Sequence, residues 1–214
     1  MVGGDPIKEE PMTAAPHLSE LAVFDHLLGR DDLTVDDIAD LPEDLRYELI
    51  DGRLALSPHV LPIHKQIALE IGYALDKRCP DGILINMEQA VLLDEYNELR
   101  PDVVLVRVEA ALGPVKSSDV PLVVEIIPEI LKRSMDVDTL KKYADAGIPS
   151  CWVVDLLAPR VTFTQFLLGP EGGYRQVMQT DREVTVDLPW QATLDVPAWT
   201  RRRDRIRAVA RPDV

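Results

Sequence analysis

Apolar residues recur along this chain with two different periods, and the switches between them mark out its elements. From Val60 to Arg78, Ile63, Ile67, Ile71 and Leu75 return every fourth residue, as on one buried helix face, and Cys79-Pro80-Asp81-Gly82 ends the helix. A second helical stretch, Asp138 to Ala146, stops at Gly147-Ile148-Pro149, with glycine just past the last turn and then proline. Earlier, Leu21, Phe24, Leu27 and Leu28 share a face in a short helix over Leu18 to Leu28, and Thr34 with Asp37 three residues on reads as a helix cap. Arg53 to Ser57 alternates as a strand until Ser57-Pro58 breaks it, and Ile83 to Ile85 and Gln89 to Leu93 are strand pieces before a polar turn at Tyr96-Asn97-Glu98. Asp102 to Val106 and Pro121 to Ile127 are short, β-branched and nearly unbroken, as in strands buried on both faces. Cys151 to Asp155 is a further strand, and Val161 to Leu168 and Tyr174 to Gln179 flank a glycine-rich hairpin turn.

The order helix, mixed strands, helix, strands predicts an α/β or α+β domain. Three regions are expected: an acidic, partly disordered extension over 1–33, the domain over 34–188, and an irregular tail over 189–214 that ends arginine-rich. Residues 1–17 and 205–214 carry too little apolar content to dock, so their removal is expected to leave the melting temperature unchanged.

Composition narrows the class. A chain of 214 residues that is 46% hydrophobic is not fully disordered. No apolar run approaches the roughly 18–20 residues of a membrane helix, so no membrane role is expected. The start lacks a secretory signal pattern, and two cysteines make neither a disulfide framework nor a cysteine zinc site; a reducing cytoplasm is the expected location. The net charge of −14 is unlike that of a protein that coats DNA. The acidity is uneven, however: residues 1–44 hold 12 acids against Lys8 and Arg30, whereas 200–214 hold six arginines against two aspartates.

Three acids stand in apolar surroundings. Asp102 opens a strand after Pro101, Glu125 lies inside Leu122-Val123-Val124-Glu125-Ile126-Ile127, and Glu48 lies in Tyr47-Glu48-Leu49-Ile50-Asp51-Gly52. A carboxylate in a buried strand is paired, neutralised or bound to a cation, because bare desolvation is costly. Two of them on neighbouring strands repel, and a divalent ion relieves the repulsion; oxygen-only ligands suit Mg²⁺. From spacing alone, such an acid is more often a half-exposed edge residue or one half of a salt bridge than a metal ligand.

In order and spacing, several segments match a known family. They are Leu41-Pro42-Glu43-Asp44-Leu45-Arg46-Tyr47-Glu48-Leu49-Ile50-Asp51-Gly52, Ser57-Pro58 followed by His64, Arg100-Pro101-Asp102-Val103-Val104, Val123-Val124-Glu125-Ile126, Lys142-Tyr143-Ala144-Asp145-Ala146-Gly147-Ile148-Pro149 and Trp152-Val153-Val154-Asp155. From Thr34 to about Gln176 the chain resembles the Uma-type restriction-endonuclease-like family, once a domain of unknown function, of the PD-(D/E)XK nuclease superfamily. The resemblance implies a restriction-endonuclease-like α/β core, a mixed sheet flanked by helices. It implies a DNA endonuclease that uses Mg²⁺ or Mn²⁺, with Asp102 and Glu125 as metal ligands and Glu48 as an accessory acid. It also implies His64 as a phosphate or water contact, where the bare sequence reads a helix-start cap. Tyr143 either packs its helix or touches substrate. Nucleases of this fold often pair, so a homodimer is expected.

The sequence departs from the family at two places. The serine expected after the strand glutamate is missing from Ile127-Pro128-Glu129-Ile130, and the usual lysine four residues before the helix tyrosine is Thr139. Lys142 lies three residues on, on nearly the same helical face, and is the expected catalytic cation; Lys141 points about 100° away. Lys132 is a further candidate. A nuclease-like protein that binds or regulates without cutting is the alternative these departures favour.

Overall fold

The two nearly unbroken apolar runs form adjacent inner strands of the main sheet, as seen in a computed structural model that describes residues 26–41, 45–56, 61–127 and 137–210. In chain order the elements are α1 (Val35–Ile38), β1 (Tyr47–Ile50), β2 (Arg53–Leu56), α2 (Pro62–Asp76), β3 (Ile83–Met87), β4 (Val91–Asp94), β5 (Asn97–Leu99) and β6 (Val103–Arg107), followed by β7 (Leu122–Ile127), α3 (Val137–Asp145), β8 (Ser150–Asp155), β9 (Thr162–Leu168), β10 (Tyr174–Thr180), β11 (Val184–Val186), β12 (Ala192–Leu194) and α4 (Val196–Ala210). The main sheet has the order β10-β9-β8-β7-β6-β3. All its pairings are antiparallel except β7 with β8, which α3 connects as a crossover. This is a mixed sheet flanked by helices, as expected from the sequence.

The central strands explain their composition. Val103, Leu105, Leu122, Val124, Trp152 and Val154 face α2, α4 and the β11–β12 hairpin, while Val104, Val106, Val123, Cys151 and Val153 face α3 and a second sheet. With both faces covered, period-2 alternation of polarity disappears. In α2 the residues Ile63, Ile67, Ile71 and Leu75 are buried as their spacing requires. Gly147, at φ +78°, ends α3, and the next amide, Ile148 N–H, donates back to the Tyr143 carbonyl.

The second sheet, β2-β1-β5-β4, is sandwiched. Tyr47, Leu49 and Leu54 pack with Leu27, Leu33, Ile38 and Leu41 on one side, while Ile50, Val91 and Leu99 pack toward the main sheet on the other. Alternation along β1 therefore points Glu48, like Ile50, at the main sheet.

Three expectations need correction. The packed unit does not begin at residue 34: Leu27 and Leu33 are already buried in it. Tyr96-Asn97-Glu98 is not simply a polar turn, because β5 starts at Asn97. Asn97 is buried because its side-chain amide donates to both Asp94 oxygens and its carbonyl accepts from Asp51 N–H. The stretch from 189 is not irregular: it forms β12 and the 15-residue α4. Val196, Trp199 and Arg203 line the buried side of α4 at helical spacing. Arg203 is only 1% exposed because its guanidinium donates to the carbonyls of Leu156, Ala158 and Pro159, a use of arginine that reads as solvated charge in the sequence. Trp199 Nε1 donates to Glu70 of α2. Trp199→Ala is expected to cost about 3–5 kcal/mol, read as a lowered midpoint in urea unfolding.

Residues 1–17, most of the expected first helix, the Ser57-Pro58 break, Lys132 and the Pro128-Glu129-Ile130 departure lie outside the described residues. Among the described residues no helix is long and apolar enough to cross a membrane.

Candidate functional site

β6 and β7 pair Val103 with Val124, and one step further brings Asp102 level with Glu125. Opposed residues of an antiparallel pair have Cβ atoms about 5 Å apart on one face of the sheet. Alternation puts that face on the side of Val104 and Val123, toward α3 and β1. Glu48 arrives there from β1. The three acids therefore meet where the end of the main sheet faces the second sheet.

Each carboxylate has one oxygen held by the protein. Asp102 Oδ2 accepts from Ile126 N–H at 2.6 Å. Glu125 Oε1 accepts from the Tyr143 hydroxyl at 2.5 Å, and Glu48 Oε1 accepts from Arg100 N–H at 2.9 Å. Among the described residues, Asp102 Oδ1, Glu125 Oε2 and Glu48 Oε2 have no hydrogen-bond donor. The protein orients each group and leaves an oxygen for something else.

The electrostatics agree. Burial, then the Asp102 carboxylate, then Glu48 push the Glu125 carboxyl well above the usual carboxylate range, against the pull of the Tyr143 hydroxyl. Burial and Asp102 raise Glu48 as well, opposed by the Arg100 amide and charge. Tyr143 is itself pushed well up by burial and by Glu125, so it stays a donor.

His64 and Tyr143, expected at the substrate, are both buried. His64 is not a surface cap. Its Nε2 lies 2.8 Å from the Ile126 carbonyl and 3.2 Å from Asp102 Oδ2. Both neighbours are acceptors, so Nε2 carries the hydrogen and the ring braces Asp102. Lys142 Nζ pairs with Asp51 in the β1–β2 turn, and Lys141 pairs outward with Asp145. Among the described residues no lysine forms an ion pair with Glu48, Asp102 or Glu125.

Sequence reasoning missed the holding groups: the Ile126 and Arg100 amides, and Asp51. Backbone donors leave no trace in residue identity. Asp51, beside Gly52 and itself at φ +50°, stands in the sequence only within a segment shared with the family, with no role of its own.

Among the described residues no group of three or more His, Cys, Asp or Glu side chains forms a ready metal cage. The donor set still fits a hard divalent ion. Mg²⁺ takes one or two carboxylates and keeps several waters, and here all-oxygen donors, mutually repelling and partly unpaired, are gathered at one place.

Comparison with known proteins agrees with this architecture. No curated protein matches the chain. A crystal structure from Anabaena variabilis ATCC 29413, of "a putative nuclease belonging to DUF820", superposes with a TM-score of 0.60 at 15% identity, covering 78% of this chain and 99% of that one. At that identity the likeness is one of fold. A family model with the description "Putative restriction endonuclease" matches residues 35–197, most of the chain and all three acids, and on that match the protein belongs to the Uma2 family.

Proposed function

We propose that this protein is a divalent-metal-dependent endonuclease that hydrolyses phosphodiester bonds in DNA, with a PD-(D/E)XK type of site. One observation carries the reading: Asp102, Glu125 and Glu48 converge with one oxygen each fixed and one without a donor among the described residues. Asp102 and Glu125 would hold Mg²⁺ or Mn²⁺. Such an ion supplies Lewis acidity toward a phosphodiester and makes water more acidic.

The chain's own groups do the rest. Ile126 N–H and His64 fix Asp102, and the Tyr143 hydroxyl fixes Glu125, so we read His64 and Tyr143 as positioning residues. We read Glu48, whose carboxyl is raised chiefly by burial, as the group that accepts a proton from water. Lys142 is the cation we assign to orient water and offset the charge that builds on phosphate, once it leaves Asp51. The working unit is read as a homodimer, whose two-fold axis matches that of duplex DNA.

The test is a cleavage assay on duplex DNA, single-stranded DNA and RNA with Mg²⁺, Mn²⁺ or EDTA, beside Asp102→Ala. Metal-dependent DNA cleavage, lost in the variant, is expected. A second reading has its own support: position 139 holds threonine and Lys142 is taken by Asp51. In that reading the protein binds nucleic acid or a protein partner without cutting. Metal binding at Asp102 and Glu125 with no cleavage of any substrate selects it.

A further inference from the structure

Next to the acids, three charged side chains from three separate segments meet. Arg46 grips Glu88 in a two-pronged pair, Nη1 to Oε1 at 2.7 Å and Nη2 to Oε2 at 2.5 Å, and Lys65 Nζ stands 3.9 Å from the same Oε1. Each member is tied to the centre by its backbone. Arg46 leads into Tyr47 and Glu48, Lys65 follows His64, and Glu88 N–H donates to the Asp102 carbonyl at 3.3 Å. Glu88 takes a φ of +53°, a conformation uncommon for a residue other than glycine. The Arg46 and Lys65 side chains are about half exposed, at 50% and 52%, so an incoming ligand can reach them.

We propose that Arg46 and Lys65 form a seat for a phosphate group of a nucleic-acid strand, and that the Glu88 carboxylate fills this seat while no strand is bound. The inference rests on the nuclease reading above and names how the site receives its polyanion.

A chain of net charge −14 with three clustered carboxylates repels a nucleic acid, so cations must stand beside the acids for a strand to be held there. The arginines of α4 do not fill that role. Their helix packs on the sheet face that carries α2, away from α3 and β1, and Arg201, Arg202 and Arg203 are engaged by Asp195, Glu70 and Asp204. Finally, the arginine fork that accepts two carboxylate oxygens accepts two phosphate oxygens with the same geometry. A phosphodiester carries the same single charge as Glu88, but a strand brings several neighbouring phosphates to the two cations and so can displace the one carboxylate.

The experiment reads binding of a short fluorescent DNA duplex to the full chain in EDTA, between about 50 and 200 mM salt. Arg46→Ala and Lys65→Ala should each weaken binding about 3- to 10-fold and lower the salt slope by about one. Glu88→Gln should tighten binding by a similar factor, since it frees both cations. Thermal midpoints should barely move, because the pairs are exposed. Unchanged binding in Arg46→Ala and Lys65→Ala overturns the seat, and no gain in Glu88→Gln overturns the role of the carboxylate. Parallel cleavage assays separate this inference from the reading it rests on. A wild type that cleaves while both alanine variants bind normally keeps the nuclease and loses the seat. A wild type that binds through the seat without cleaving keeps the seat and loses the nuclease. One that neither binds nor cleaves overturns both.

Discussion

Glu125→Gln is expected to yield a protein that is more stable than the native chain at pH 8 and that cleaves DNA at least about 10²-fold more slowly. Both effects come from one buried charge. Burial and Asp102 raise the folded-state carboxyl above its ordinary value near 4.5, so the folded state favours protonated Glu125. The stability this gives is fully present below the unfolded value and is lost as pH rises through the folded one. Glu48, also raised, acts in the same sense. Glutamine carries no charge, and its side-chain oxygen can still accept from Tyr143. The variant's stability should therefore lack the Glu125 part of this fall with pH, and the gap between the two proteins should widen from about pH 4.5 upward. At pH 8 a gain of roughly 1–3 kcal/mol is in the range for relieving a poorly compensated buried group. Mg²⁺ should raise the melting temperature of the native chain in alkaline buffer and do much less for the variant. A variant that is less stable than wild type at pH 8 without metal would show that the protein already compensates this charge, and the metal reading would lose its main support.

The parts of this molecule that local pattern controls were readable in the sequence. β6, β7 and β8 are apolar because they are covered on both faces, and such runs need no tertiary context to be recognised. Asp102 and Glu125 stood out against those runs for the same reason. Features whose cause lies in distant contacts were not readable. Arg203 is buried because three loop carbonyls receive it, and Asn97 because Asp94 and the Asp51 amide satisfy it. His64 reads as a helix-start cap until the end of β7 is brought against it. The Arg46–Glu88–Lys65 group joins segments that share no periodicity.

The site cation is where sequence and structure leave the sharpest test. Thr139 and Tyr143 are four apart in α3, so they lie on one face a turn apart, and the Tyr143 hydroxyl already touches Glu125. A lysine at 139 extends from that same face toward the acids with a long, flexible stem. Lys142 lies about 60° around the helix from position 139, and its ammonium is docked on Asp51, whose side chain is 69% exposed. The exposed Asp51 carboxylate is screened by solvent, so Lys142 can leave it when charge develops on a phosphate. In the native chain Lys142→Ala is accordingly expected to lower cleavage about 10²-fold, the loss typical of one electrostatic contact in the transition state. Thr139→Lys is expected to hold or raise cleavage, and in that background Lys142→Ala should become nearly silent, since the new ammonium replaces the old. Single-turnover rates at saturating Mg²⁺ measure all four proteins without interference from product release. A native chain that cuts equally well after Lys142→Ala would remove Lys142 from the mechanism and turn attention to Lys132. An inert native chain that gains cleavage with Thr139→Lys would show a nuclease fold disarmed at one position, with its acids still in place.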